Sequence, residues 1–127
     1  LTRKEKEKTY STEELYEELI SFLDEIKNEQ TIVEGTKDKR VLVSFGFSNV
    51  HTINKSFYET AESFKGNLLI LTDFDPEGEE IAKKLSLLLV KFGCNVDVSS
   101  RKKLRSLFIK NKINTVEALQ KLSPQKI

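Results

Sequence analysis

The chain has 127 residues, enough for one domain around one hydrophobic core. Charged residues make up 32%, but 21 Lys and Arg against 20 Asp and Glu leave a net charge of +1, so no field of one sign covers the molecule. A single cysteine, Cys94, excludes an internal disulfide, and one Cys with one His excludes a zinc site. The longest apolar run, Leu85 to Val90 broken by Ser86, is too short to span a bilayer, and no signal-peptide pattern opens the chain. These features imply a cytoplasmic protein with no membrane partner. There is no Met, not even at position 1, so the native N-terminus is expected upstream of Leu1.

Residues 1–10 are Lys- and Glu-rich and read as a flexible tail. Ser11-Thr-Glu-Glu14 forms a capping box, which opens a helix to about Asn28 with Leu15, Leu19, Ile20, Phe22, Leu23 and Ile26 on one face. Thr31–Val33 is a short apolar strand ending in Glu34 and Gly35. A helix with Val41, Leu42 and Phe45 on its buried side then runs to Gly46. Val50–Ile53 reads as a second strand, and Asn54 as the cap of a helix through Phe64. Leu68–Thr72 is the third strand, and Pro76 suits the first turn of a helix that stops at Gly93. Cys94–Val98 reads as a fourth strand. Ser99 or Ser100 is expected to cap a basic helix from Arg101 to about Lys110, and a last helix spans about Thr115–Leu122. Strands alternating with helices predict an α/β, Rossmann-like fold with about four parallel strands flanked by helices. The expected layout is a helix packed over 11–29, a core over 30–98 and a basic helical extension over 99–127.

The third strand delivers Asp73 and Asp75 to its C-terminal end, where open α/β sheets place their ligands. The chain turns there, so two carboxylates one residue apart can converge. Glu34 ends the first strand in the same way. Three carboxylates at strand ends suit a hard divalent cation, Mg²⁺ with Mn²⁺ as a substitute, and one or two ions could clamp a phosphodiester. Gly78 sits in a first helical turn, where glycine is favoured if a backbone or a phosphate must come close. Glu79, one residue on, is within reach of the same region.

These residues resemble a Toprim domain, the module of type IA and type II topoisomerases, bacterial primases and several nucleases. The resemblance lies in an apolar strand ending in Val33-Glu34-Gly35 and a later one ending in Leu71-Thr72-Asp73-Phe74-Asp75-Pro76-Glu77-Gly78-Glu79, over about residues 30–98. It implies that Glu34 binds Mg²⁺ or acts as general acid/base, that Asp73 bridges two metal positions, and that Asp75 holds the second. It also implies that Asp38 shapes the site from the next helix. Pro76 stands where topoisomerases often have Arg, and Thr36 where Lys is common, with Lys37 beside it. The short chain is similar to the small stand-alone Toprim proteins related to the ribonuclease that matures 5S ribosomal RNA. The function implied is Mg²⁺-dependent, ribonuclease-like hydrolysis of nucleic acid. The alternatives are a non-catalytic metal-binding module or a component of a DNA repair or replication assembly.

Lys37, Arg101, Lys102, Lys103 and Arg105 are the expected contacts to RNA or DNA phosphates. Phe47 and Phe74 are candidates to stack on bases, and Ser48 and Asn49 for a turn beside the site. His51 reads as a structural residue within a strand, and Cys94 as core. Tyr10, Tyr16 and Tyr58, in the tail or in predicted helices, are not expected to be nucleophiles.

Overall fold

The computed structural model describes residues 11–122. The expected tail over 1–10, with Tyr10, lies outside the described residues, as do positions 123–127 of the extension. Four parallel strands form the sheet in the order β2-β1-β3-β4: β1 (Thr31–Val33), β2 (Val50–Thr52), β3 (Asn67–Ile70) and β4 (Asn95–Val96). The helices are α1 (Thr12–Ile26), α2 (Thr36–Ser44), α3 (Phe57–Glu62), α4 (Pro76–Lys91) and α5 (Val98–Lys110), followed by a 3-10 turn over Glu117–Lys121. The fold is α/β, as its alternation of strands and helices predicts.

Both faces of the sheet are covered, which is why β1 and β3 are apolar without a break. Val33, Leu69 and Leu71 point to one side, into a core with Leu19 and Leu23 of α1, Leu42 of α2, Leu104 and Phe108 of α5, and Leu119. Ile32, Leu68 and Ile70 point to the other, against Ala61 of α3, Leu85 and Leu89 of α4, and Cys94. Truncating any of these leucines to Ala would cost about 2–5 kcal/mol. The helix before the expected core and the extension after it cover one face of the same sheet. Asn111 Nδ2, at the end of α5, donates to the Leu15 carbonyl of α1 at 3.1 Å. Residues 30–98 alone would leave Val33, Leu69 and Leu71 covered only in part, by α2 and Phe47.

The capping box at Ser11 forms, with Glu14 N donating to Ser11 Oγ at 3.1 Å. Other boundaries move. Ser56, not Asn54, caps α3, accepting from Glu59 N. The fourth strand keeps two of its five expected residues, because Asp97 turns away to cap α5, taking Ser100 N at 3.0 Å in place of Ser99 or Ser100. The last helix is a 3-10 turn. The Ser48-Asn49 turn lies at the start of β2, where the Asn49 carbonyl accepts from Thr31 N, so it stands at the opposite end of the sheet from Glu34. Phe47 is buried in the core and presents no ring to a base.

Glu29 and Asp97 share a hydrogen bond between carboxyl groups. Burial first, then this contact with Asp97, pushes the Glu29 carboxyl up from 4.5 to about 7. Asp97 is held below its ordinary range; burial opposes this, but the hydroxyl and N–H of Ser100, Glu29 and Ser99 outweigh it. The shared proton therefore sits on Glu29. The folded state binds it more tightly than the unfolded chain, so its stabilisation is complete below about pH 4.5 and is lost as pH rises through about 7. Glu29→Gln, which keeps a neutral donor, is expected to raise the melting temperature at pH 8 and to leave it nearly unchanged at pH 5, as read by circular dichroism.

Candidate active site

The C-terminal ends of β1 and β3 lie side by side, with Ile32 opposite Ile70 and Leu71 N donating to the Ile32 carbonyl at 2.8 Å. The residues that follow these strands therefore meet. Glu34 Oε1 accepts from Asp73 N at 3.1 Å, joining the two motifs directly. Asp75 caps α4, its Oδ1 accepting from Gly78 N at 2.8 Å. Asp73 Oδ1 accepts from Val116 N at 2.8 Å, and Phe74 N donates to the Asn114 carbonyl at 2.7 Å. Asp38, in the first turn of α2, accepts from Gly35 N through Oδ2 at 3.3 Å.

Negative charge accumulates at this rim. Burial raises the proton affinity of Glu34, and the charges of Asp73, Asp38 and Asp75 add to it against the Asp73 N–H. Burial likewise raises Asp38, helped by Asp73 and Glu117. Asp73 is raised by burial first, then by Asp75 and Glu117, against the Val116 N–H and Arg101. The carboxylates do not converge as they stand: among the described residues no three His, Cys, Asp or Glu side chains are gathered to hold a metal ion. Each is turned instead toward its own backbone donor. Glu34, Asp73 and Asp75 each commit one oxygen in this way, and the second oxygen takes no hydrogen bond among the described residues.

Gly78 is fixed by a close approach of backbone. A Cβ there would lie 2.1 Å from the Asp73 carbonyl oxygen and 2.6 Å from its carbon. Thr72 Oγ1 closes the same turn by donating to the Gly78 carbonyl at 2.7 Å. Gly35 differs: its φ of −149° suits any residue, and a Cβ would meet nothing within 4 Å. Neither space nor backbone strain requires glycine there, and the turn after Glu34 is left open.

Of the basic residues of α5, Arg101 and Arg105 are engaged within the fold, while Lys102 and Lys103 stay exposed. Arg101 is 8% exposed and reaches under the site, where Nη1 donates to the Ile70 and Thr72 carbonyls, each at 3.0 Å, and Nη2 to the Asp73 carbonyl at 3.2 Å. Nη2 also meets Glu79 Oε1 at 2.8 Å, and Arg105 grips both oxygens of Glu79. Half-buried Phe74 packs under the Arg101 guanidinium, whose Cζ lies 4.6 Å from the ring centroid, and edge-on against Phe108. Lys103 lies over the Phe22 ring of α1. Lys102 faces solvent, and Lys37 is exposed at the start of α2 beside the carboxylates. Tyr16 is half-buried on α1 and exposed Tyr58 packs on Phe92, both on helices, as expected.

The search of family models finds no match. A UPF0292 protein of Thermococcus gammatolerans is 39% identical over 107 residues, covering 80% of this chain and 78% of its own. One from Thermococcus sibiricus is 34% identical over 113 residues, covering 84% and 88%. The chain belongs to the UPF0292 family. One from Archaeoglobus fulgidus is 32% identical, with 82% of this UPF0292 chain and 88% of its own covered. Among solved structures, a protein from Aquifex aeolicus matches with a TM-score of 0.65 and 28% identity over 80% of this chain and 94% of that one.

Two parts of this UPF0292 site carry no local signal. Val116 and Asn114 join it through backbone groups that any residue could supply, from more than 40 positions beyond Asp73. The Glu79–Arg101–Arg105 network joins two helices; the i, i+4 spacing of the arginines is its one trace in the sequence. The hydrogen bonds from Arg105 first, then those from Arg101, pull the Glu79 carboxyl down from 4.5 to about 2. Its stabilisation is complete above about pH 4.5 and is lost as pH falls toward about 2, so the acid-unfolding midpoint is expected to rise in Glu79→Gln. Gly78→Ala must push the Asp73 backbone aside and is expected to destabilise by about 1–3 kcal/mol or more, measured by urea denaturation. A gain of the order that Ala ordinarily brings to a helix over Gly, about 0.5–1 kcal/mol, would contradict the close approach.

Proposed function

We propose that this protein is a Toprim-type, Mg²⁺-dependent enzyme acting on nucleic-acid phosphodiesters, a ribonuclease-like hydrolase of RNA processing that works in the reducing cytoplasm. The observation carrying this reading is that Glu34 at the end of β1 bonds to the Asp73 backbone at the end of β3, with Asp75 two residues on. Their uncommitted oxygens are a hard donor set, which suits Mg²⁺ or Mn²⁺. Asp73 and Asp75 would hold the ion, with Glu34 beside them. When bound there, the ion supplies stabilisation of charge on the phosphoryl oxygens.

The remaining work falls to the chain's own groups. Glu34 Oε2 is the group to take the proton of an attacking water, and the Asp73 N–H on Oε1 fixes its orientation. The open turn at Gly35 admits a phosphate close to the backbone. Asp38 holds that turn through Gly35 N, and Gly78 holds the Asp73 loop down on α4. The cap that α4 receives from Asp75 orients that carboxylate.

One observation favours a second reading, a metal-binding module that docks nucleic acid without cutting it. Arg101 and Arg105 are both tied to Glu79, and Pro76 offers no cation, so among the described residues no guanidinium beside the carboxylates is free to meet a transition-state phosphate. Protein partners in a nucleic-acid-processing assembly fit either reading.

Calorimetric titration of Mg²⁺ and Mn²⁺, with cleavage of structured RNA and DNA, separates them. Glu34→Gln, Asp73→Asn and Asp75→Asn each keep an oxygen for the backbone donor they serve, so the fold is retained. Ion binding is expected in the wild type and lost in Asp73→Asn and Asp75→Asn, and cleavage is lost in all three. Ion binding without turnover selects the module. No ion binding by the wild type, with or without nucleic acid, sinks both.

A further inference from the structure

A second cleft opens at the outer edge of the sheet, beside β2. It encloses about 320 Å³ and is lined by Lys39 of α2, His51 of β2, Asn54 and Lys55 of the following loop, and Thr60 of α3, with Phe64 at its end. Among the described residues no Asp or Glu lines it. Neither lysine has a salt-bridge partner among the described residues. The wall also holds a buried polar group with nothing to bind. Thr60 is 4% exposed, and its Oγ1 has no hydrogen-bond partner among the described residues. A buried hydroxyl left unpaired is unfavourable, and this one is sealed behind the cleft wall rather than offered on its surface.

The cleft is built rather than a chance gap between surface side chains. His51 is held on one side by Asn49 Oδ1, 2.6 Å from Nε2, and on the other by the edge-on Phe64 ring at 5.1 Å. The strand that carries it is locked in register: Thr52 lies opposite Val33, and Ile53 N donates to the Val33 carbonyl at 3.1 Å. Thr52 is therefore level with the residue before Glu34. Parallel neighbours are about 4.8 Å apart, so the cleft and the carboxylates share one rim of the sheet. Lys39 reaches it from α2, the helix that begins just after Glu34.

We propose that this cleft binds a backbone phosphate of a nucleic-acid strand whose neighbouring segment lies over Glu34, Asp73 and Asp75. The inference rests on the function proposed above and adds the track along which the strand runs. Two ammonium groups, an imidazole and an amide match the several oxygens of one phosphate. The sheet edge thus adds positive charge beside the carboxylates, where Arg101 and Arg105 are engaged within the fold.

The test is binding of labelled single-stranded RNA and DNA to the full chain, by fluorescence anisotropy, in EDTA over a series of KCl concentrations. In Lys39→Ala/Lys55→Ala the affinity is expected to fall about tenfold, equally for unrelated sequences. The slope of log K against log salt should shrink by about 0.7, the share of one phosphate contact on a single strand. An unchanged slope overturns the cleft. So does a mononucleotide that binds as tightly as the strand and loses its affinity in the same variant, since free phosphate compounds would then be the ligand. EDTA keeps this test blind to the ion. A protein that fails the calorimetric test yet shows the slope change loses the enzyme and keeps the track; one that passes it with an unchanged slope loses the track alone.

Discussion

Past Leu68 the third strand has no neighbour on its β4 side, because β4 ends at Val96 and Asp97 N makes the last bond to it. The carbonyls of Ile70 and Thr72 point into that gap, and the guanidinium of Arg101 fills it. Buried backbone carbonyls without a donor are strongly disfavoured, so the strand can run on to Thr72 only because a side chain from α5 stands in for the missing strand. A lysine, with one compact charge in place of a planar fork, could not meet Ile70, Thr72, Asp73 and Glu79 together. The position of Asp73 and of everything attached to it follows from this one group.

The same contact decides how charge is distributed. Burying a guanidinium requires a counter-charge, and Glu79 supplies it while Arg105 completes the fork. The acidic rim above is then left with its own repulsion. Glu34, Asp38 and Asp73 all bind protons more readily than free carboxylates, burial being the first cause in each. Backbone N–H groups of Asp73, Gly78, Val116 and Gly35 share out the load, one to each carboxylate. Positive charge is available one strand away, in the cleft beside β2, so the rim is divided into an acidic centre and a basic flank.

The two motifs were legible because each is local: an apolar run ends, and acidic residues and a glycine follow within a turn. The glycine at 78 was legible for the same reason, as a position where backbone or phosphate must come close, and it is backbone that does so. Of the four basic residues expected to face phosphates from this helix, two serve the fold instead. Arg101, Lys102, Lys103 and Arg105 are helical, but sequence spacing does not say which cations face solvent and which face a strand that ends early. Phe47 was misplaced for a like reason, since a loop aromatic is free or packed according to what arrives from elsewhere.

The sequence by itself determined the alternation of strands and helices, the parallel sheet, and the arrival of Glu34, Asp73 and Asp75 at strand ends, because these depend on periodicity and on residues a few positions apart. Only the tertiary structure decided that Val116 would hold Asp73, that Arg101 would serve the sheet, and that Lys39, His51 and Lys55 would share a cleft. Those outcomes turn on which segments lie side by side, and that is set by strand order and by the packing of distant helices, quantities that no local window of residues contains.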